Sequence, residues 1–203
     1  MVHRTGREGW GPTGLVLVSR IHLVRHGRAA AGWDTDPDPG LDELGRSQAA
    51  ATATELFGAG PPMALYTSPL RRCRETAGFL AELWSDSPVV VVPEVTEIPS
   101  PDGFEMHERV TWLRGAMAGD WAALGPRYTA FRDQVVHWVA SLAHDAVVFS
   151  HFIAINCVIG ACLDDDRVVI ASLDNASVTT VESDGRGGVR LIGRGREADT
   201  LIR

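Results

Sequence analysis

An arginine, a histidine and a glycine follow a short apolar stretch near the beginning of the chain. Residues 21–24 predict a buried strand, and Arg25, His26 and Gly27 come at its carboxyl end. A neutral imidazole nitrogen is a competent nucleophile near neutral pH, and a neighbouring guanidinium favours an anionic substrate. Gly27 allows the backbone to turn sharply. These residue types indicate nucleophilic chemistry on an anion.

Two further groups of polar residues come at predicted strand ends. Arg71 and Arg72 lie at the start of the helix that follows a strand at residues 64–67, and His151 follows a strand at residues 146–150. The free N–H groups of a helix start favour anions, so we expect an anion site there. In a parallel sheet the carboxyl ends of the strands share one edge, where ligands bind. We therefore expect these residues to form one site.

The elements that must position these residues alternate between strand and helix. Asp42 is predicted to cap a helix that ends at Gly58 and Gly60, and Ser68 and Pro69 are predicted to begin the next helix. Apolar periodicity predicts further elements: a buried strand at residues 89–92, closing strands at residues 177–181 and 189–192, and helices at residues 131–142 and 153–162. This alternation predicts an α/β three-layer sandwich, with helices on both faces of a mainly parallel sheet.

Two irregular segments are expected to lie over the site. Residues 29–40 are rich in proline, aspartate and glycine and predict a loop. Residues 93–125 change in composition, and we interpret them as an excursion that forms a lid over the pocket. Residues 1–19 are expected to be a flexible extension, followed by a single domain over residues 20–203.

The composition excludes several classes of protein. A chain of 203 residues with 45% hydrophobic and 22% charged residues is typical of an ordinary globular protein. Its net charge of -7 argues against a nucleic-acid partner, and we find no apolar stretch long enough to cross a membrane. The three cysteines, Cys73, Cys157 and Cys162, do not have the spacing of a zinc site or a disulfide framework. We expect a cytoplasmic protein without a metal.

Four stretches of the sequence together resemble one family. They are LVRHG at 23–27, LDELGRSQA at 41–49, TSPLRRCRETA at 67–77 and VVFSH at 147–151. In this order they resemble the histidine phosphatase superfamily, which has the phosphoglycerate-mutase-like fold, from about residue 21 to the end of the chain. The resemblance implies a phosphoric monoester hydrolase of the histidine acid phosphatase type, which uses no cofactor and acts on a small phosphorylated substrate.

The resemblance also implies roles for individual residues. His26 is the nucleophile that becomes a phosphohistidine, and Arg25, Arg72 and His151 hold the phosphoryl oxygens. Glu97 stands at the place of the family's proton donor. If Glu97 is not the acid, the alternatives are Glu94, Asp102 and Glu105. The segment from Asn175 to Ser177 resembles a late family motif with a structural role.

The chain departs from the family pattern near both histidines. Arg28 and Ala29 follow the first motif in place of the usual Glu-Thr or Gln-Thr, and an asparagine expected a few residues later is replaced by Gly32. Phe152 follows the second histidine, where glycine is common. Arg28 and Phe152 are therefore candidate substrate-binding residues that bear on substrate identity. A contact from His107 remains open.

Three functions remain open from the sequence. A phosphatase is favoured because the excursion is short and the family's asparagine is missing, whereas a mutase must keep water away from its phosphoenzyme. The second candidate is a phosphoglycerate-type phosphomutase. The third is a non-catalytic module that binds phosphorylated ligands. The substrate and the oligomeric state cannot be derived from the sequence.

Overall fold

A mixed β-sheet forms the centre of the molecule. The computed structural model describes residues 7–9, 16–32 and 35–197. Its strands are β1 Arg7–Gly9, β2 Val16–Arg25, β3 Ala64–Thr67, β4 Val89–Val91, β5 Ala146–Ser150, β6 Val178–Ser183 and β7 Val189–Gly193. The strand order is β4-β3-β5-β2-β6-β7, with β1 paired to the beginning of β2. The pairs β4-β3, β3-β5 and β5-β2 are parallel, and the other pairs are antiparallel.

In the described part of the chain, six helices connect or flank these strands. They are α1 Glu43–Ala59, α2 Arg71–Leu83, α3 Met106–Met117, α4 Trp121–Leu124, α5 Pro126–Ala140 and α6 Phe152–Leu163, with a single 3-10 turn at Pro93–Val95. The predicted cap at Asp42 is confirmed, since its carboxylate accepts a hydrogen bond from the Gly45 N–H at 2.7 Å. Among the residues described, no helix is long and apolar enough to cross a membrane.

Alternating side chains of the strands bury against helices on both sides of the sheet. Val24, Val147 and Phe149 pack with residues of α1 and α2 in one hydrophobic cluster. Ile21 and Val148 point to the opposite face and pack with residues of α3, α5 and α6 in a second cluster. This period of two residues is the reason that one sheet serves two cores. The predicted α/β three-layer arrangement is confirmed, but the sheet is mixed and not mainly parallel, because β6, β7 and β1 pair in the antiparallel direction.

Three further predictions about these elements need correction. The strand predicted from residue 21 begins at Val16, and Arg7–Gly9 pairs with residues 16–18, so these residues are not a flexible extension. The remainder of the expected extension, residues 1–6 and 10–15, lies outside the described residues. β4 was expected to be buried, but Val90 and Val91 are each 48% exposed because β4 is an edge strand.

The third correction concerns the beginning of α2. Leu70, not Ser68, is the N-cap residue, and the helix begins at Arg71. The Ser68 hydroxyl accepts from the N–H of Leu70 at 3.3 Å, just before the helix, and lies 2.7 Å from Nε2 of His151. The Arg71 N–H donates to a carboxylate oxygen of Asp38 at 2.7 Å. Asp38 therefore occupies the N–H of Arg71 at the helix start, and Arg72 is the residue of this turn that lines the cavity described below.

Candidate active site

The pairing of β2 with β5 places two histidines next to each other. In this parallel pair Arg25 is opposite Ser150, so the residues that follow, His26 and His151, leave the sheet side by side. The His26 N–H donates to the Ser150 carbonyl at 3.0 Å. The two imidazole rings have centroids 5.3 Å apart and an interplanar angle of 62°. The strand register therefore brings together residues that are far apart in sequence.

Hydrogen bonds determine which nitrogen of His26 carries a proton. Nδ1 lies 2.8 Å from the carbonyl oxygen of Gly27, which can only accept, so Nδ1 donates. Nε2 lies 3.2 Å from Nε of Arg72, which can only donate. Nε2 is therefore the nitrogen with a free electron pair. Burial, followed by the charges of Arg72 and Arg25, lowers the pKa of His26 well below 6.5, which keeps the imidazole neutral.

Hydrogen bonds also determine the tautomer of His151, which carries its proton on the other ring nitrogen, Nε2. A second nitrogen of the Arg72 guanidinium donates to Nδ1 of His151 at 3.2 Å, so Nε2 carries the proton and lies 2.7 Å from the Ser68 hydroxyl. Burial and the charge of Arg72 lower the pKa of His151 well below 6.5. The Cys73 thiol packs against the same imidazole, with Sγ 3.4 Å from Nε2, and burial raises the pKa of this thiol. The thiol therefore stays protonated.

Arg25 lies at the carboxyl end of β2 and is largely buried. One of its terminal nitrogens donates to the Leu173 carbonyl at 2.6 Å, and its guanidinium carbon lies 5.1 Å from the centre of the Phe152 ring. Its Nε has no hydrogen-bond partner in the part of the chain that the structure describes. Burial lowers the pKa of Arg25, while the charges of Glu97 and Asp174 raise it. Arg25 thus retains donor capacity for an anion.

Glu97 is a buried carboxyl group on the wall of a cavity. It follows the 3-10 turn Pro93–Val95, is 8% exposed, and its Oε1 accepts from the Ile98 N–H at 3.0 Å. Burial is the largest influence on its pKa and raises it, although Arg72 and Arg25 act in the opposite direction. A carboxyl group with a raised pKa keeps its proton at higher pH than an exposed glutamate, which suits a general acid.

The cavity has a volume of about 130 Å³ and opens beside Arg72. Its walls combine the loop before α1, the start of α2, the segment after the 3-10 turn and one residue of α3. The lining residues are Asp36, Pro37, Pro39, Leu70, Arg72, Glu97, Ile98, Ser100 and Arg109. Residues of both segments that were expected to lie over the site therefore line it.

The backbone around His26 is held from two sides. Its carbonyl oxygen accepts from the Ala176 N–H at 3.2 Å and from the Asn175 side-chain amide at 3.1 Å. Ala176 has a φ of 55°, a conformation that is costly for a residue with a Cβ. On the other side, a Cβ on Gly27 would lie 2.4 Å from the Gly45 carbonyl oxygen. Gly27 therefore permits close packing against α1 and is not a position of positive φ.

Comparison of the whole sequence with models of protein families identifies the family. A model of the histidine phosphatase superfamily (branch 1) matches residues 21–192. The chain belongs to this superfamily. The match covers the strand ends that carry His26, Arg72 and His151 and the segment that carries Glu97, so the family recognised from four short motifs is confirmed over most of the chain.

Individual members of the superfamily resemble parts of the chain or its fold. A metal-independent phosphoserine phosphatase from Arabidopsis thaliana is 36% identical over 107 residues, which are 49% of this chain and 42% of that protein. The mycobacterial glucosyl-3-phosphoglycerate phosphatase structure has a TM-score of 0.66 at 22% identity, covering 87% of this chain and 98% of that one. A phosphoglycerate mutase from Bacillus anthracis has a TM-score of 0.64 at 17% identity, covering 87% and 92%.

These comparisons establish the fold more firmly than the reaction. The two solved structures confirm the phosphoglycerate-mutase-like fold, which a phosphatase and a mutase share. The chain spans less than half the length of the curated relatives it matches. The reaction and the substrate of this superfamily member must therefore be argued from its own site.

The structure assembles some of the predicted site residues and not others. Arg25, His26, Arg72, Glu97 and His151 are buried or largely buried around one region at the carboxyl edge of the sheet. Within the described residues, no group of three or more His, Cys, Asp or Glu side chains is arranged to hold a metal ion. The roles of the five assembled residues as catalytic groups remain predictions.

Of the predicted site residues, Arg72 and Glu97 line the cavity, whereas Arg25, His26 and His151 and the three remaining candidates do not. Arg28 is 52% exposed and its Nε donates to Asp42 at 2.5 Å, which directs this charge to the start of α1. Phe152 stacks under Arg25 and is not among the lining residues. His107 is exposed on α3 and does not line the cavity either. Substrate contacts from Arg28, Phe152 and His107 remain predictions.

Sequence reasoning missed residues whose role depends on tertiary contact. Ser68 was interpreted as a helix cap, although it accepts from His151. Its place in the motif at 67–77 is a signal that could have suggested a role in the site. Asn175 was recognised only as structural, and it proves to hold the His26 carbonyl. Arg109 lies outside every motif, so no local signal indicated it.

The lowered pKa values of the two histidines predict how stability depends on pH. Below about pH 6.5 the unfolded chain binds protons that the folded site excludes, so the unfolding free energy falls as pH falls, by up to about 2.7 kcal/mol per pH unit for two protons. Urea unfolding at a series of pH values from 7 to 5 measures this slope. His151→Gln should reduce the slope by about half, as one of the two protons is removed. His107→Gln, at an exposed histidine, is the control and should leave the slope unchanged.

Proposed function

We propose that this member of the superfamily is a phosphatase that hydrolyses phosphate monoesters through a phosphohistidine at His26, without a metal or cofactor. The observation that carries the proposal is the double hydrogen bond from Arg72 to the two imidazoles. It leaves the electron pair of His26 Nε2 unprotonated, next to a cation that can bind phosphoryl oxygens. A similar phosphoserine phosphatase supports the same class of reaction.

Substrate binding must first free the nucleophile. In the structure the Arg72 Nε–H is directed to Nε2 of His26. A phosphate dianion is a stronger acceptor for a guanidinium than a neutral imidazole, because both partners are charged. When Arg72 donates to phosphoryl oxygens, the electron pair of His26 becomes available for attack. Arg72 would therefore protect the histidine until an anion arrives.

The first chemical step forms the phosphoenzyme. The Nε2 electron pair forms a bond to phosphorus while the ester P–O bond breaks, and its electrons go to the leaving oxygen. The carboxyl group of Glu97 gives its proton to that oxygen, so the product leaves as an alcohol. Arg25 and Arg72 offset the negative charge of the phosphoryl group during transfer; an arginine at about 4 Å contributes roughly 4 kcal/mol at an effective dielectric near 20.

The second step returns the site to its starting state. A water molecule attacks phosphorus, the P–N bond breaks, and its electron pair returns to His26. The carboxylate of Glu97 accepts a proton from the water and is then ready for another cycle. The surrounding guanidiniums lower the energy of ionised Glu97 after the first step, which moderates the cost of a buried carboxylate.

The cellular setting is part of the same proposal. We propose a cytoplasmic enzyme that acts on a small phosphorylated molecule. All three cysteines are free thiols, and two of them are buried, which is compatible with a reducing compartment. The net charge of -7 supports a small anionic substrate held by local arginines in preference to a nucleic acid.

Release of inorganic phosphate from a panel of phosphate esters tests the proposal directly. Turnover should persist in the presence of a chelator and fall to background in His26→Ala, because the attacking nitrogen is lost. Rapid quenching in acid-free conditions with labelled substrate should trap the label on wild-type protein and not on the variant. Conversion of phosphoglycerate isomers without phosphate release would instead establish a mutase. Binding of phosphate esters with no turnover of any of them would establish a binding module.

Adjacent arginines allow a matched comparison of charge at this site. Arg72→Gln should lower kcat/KM by about 10²–10³-fold, because a donor to the transferring phosphoryl group is lost. Arg71→Gln removes the same charge from an exposed side chain that pairs with Glu75, and it should change kcat/KM less than about threefold. Steady-state rates with one substrate measure both variants. Equal losses would show that only the overall charge matters.

Leaving groups of different basicity test the acid role of Glu97. Glu97→Gln should slow an alkyl phosphate by about 10²–10⁴-fold and p-nitrophenyl phosphate far less, since nitrophenolate leaves without a proton. In the wild type, alkyl phosphate turnover should decline as pH rises through the raised pKa of Glu97, because the acid form is lost. Equal losses on both esters would remove Glu97 from this role, and Glu94, Asp102 and Glu105 would be tested next.

A further inference from the structure

Arg109 is a cation on the cavity wall that nothing in the described protein neutralises. It lies in α3, outside the family motifs, and lines the same cavity as Arg72 and Glu97. Its Nε is fully buried and has no hydrogen-bond partner within residues 18–32 and 35–197. A buried donor that remains unsatisfied is unfavourable, so such a group in a cavity points to a missing acceptor.

No residue of the wall hydrogen-bonds or ion-pairs with this guanidinium in the described structure. Much of the wall is apolar, formed by Leu70, Ile98 and prolines of the loop before α1. Of the two acidic residues in the lining, Glu97 has a raised pKa, and one oxygen of Asp36 accepts from the Asp38 N–H at 2.9 Å. Neither forms an ion pair with Arg109 in the described structure. The charge of Arg109 therefore lies at a small cavity with no protein partner among the described residues.

We propose that Arg109 binds a carboxylate on the alcohol part of the substrate, so that the site selects phosphate monoesters of small hydroxy acids. The inference rests on the proposed phosphatase function. The cavity has Arg72 on one part of its wall and Arg109 on another, and at about 130 Å³ it suits a compact molecule with an anion at each end. A guanidinium with an available Nε–H can bind a carboxylate with two parallel hydrogen bonds.

Pairs of substrates that differ at the carboxylate isolate this contact. Phosphoserine and phosphoethanolamine differ only by the carboxylate, and 3-phosphoglycerate and glycerol 3-phosphate differ by a carboxylate in place of a hydroxymethyl group. Wild-type kcat/KM should favour the carboxylate member of each pair by at least about tenfold, as expected for a charge-assisted hydrogen bond in a partly buried site. The first pair tests the proposal without a change in the protein.

The variant Arg109→Gln should then remove most of the preference within each pair. We expect kcat/KM for phosphoserine to fall by about 10–100-fold, with a much smaller change for phosphoethanolamine. Arg109→Lys should recover part of the preference, because it keeps the charge and loses the paired donors. The control is Arg114→Gln, an exposed arginine of the same helix, which should leave both substrates unchanged.

Two results would overturn the inference. One is the absence of any wild-type preference for the carboxylate esters, and the other is an equal loss in Arg109→Gln on both members of a pair. Failure of the proposed function has a separate signature, since p-nitrophenyl phosphate would then release no phosphate. In that case calorimetric binding of the same substrate pairs to His26→Ala and to His26→Ala combined with Arg109→Gln decides the carboxylate site independently of turnover.

Discussion

The site depends on one guanidinium that donates hydrogen bonds to two imidazoles. Arginine has no acceptor, so each contacted nitrogen must offer an electron pair, and both rings must be neutral. Their protons are then directed elsewhere, to the Gly27 carbonyl from His26 and to the Ser68 hydroxyl from His151. One buried cation thus determines the tautomers of both rings. If His26 is the nucleophile, as we propose, these hydrogen bonds already leave its Nε2 unprotonated, and no separate base is needed.

The buried charges of this site lower the stability of the folded protein, and backbone hydrogen bonds and buried strands offset that loss. Removing Arg25 and Arg72 from water near each other is unfavourable, and so is the positive φ of Ala176. Two features offset this loss of stability. The N–H and the carbonyl of His26 are both hydrogen-bonded to neighbouring segments. The strands β2 and β5 pair with each other and are buried on both faces. The stability of the central sheet therefore permits an active site that is itself destabilising.

Local patterns in the sequence were sufficient for the central elements and for the motif residues. Apolar alternation marked β3 and β5 with their correct bounds, and the polar residues at the ends of β2 and β5 indicated the site. The errors at the start of α2 have another cause: residues distant in sequence take the hydrogen-bonding groups that a local pattern assigns to the helix. Asp38, from a distant loop, accepts a hydrogen bond from the Arg71 N–H, and the Ser68 hydroxyl hydrogen-bonds to His151. A residue such as Arg109 cannot be recognised locally, because its significance is the lack of a nearby partner.

The site divides into two parts that follow different constraints. The residues proposed to contact the phosphoryl group lie at or just after strand ends whose positions are determined by register, which leaves little freedom for change. The opposite wall comes from irregular segments, the loop before α1 and the segment between the 3-10 turn and α3, where substitutions alter the cavity without disturbing the sheet. A common reaction with diverging substrates is the expected result. Asp36 and Arg109 both belong to that second wall, so we expect substrate choice to be determined there.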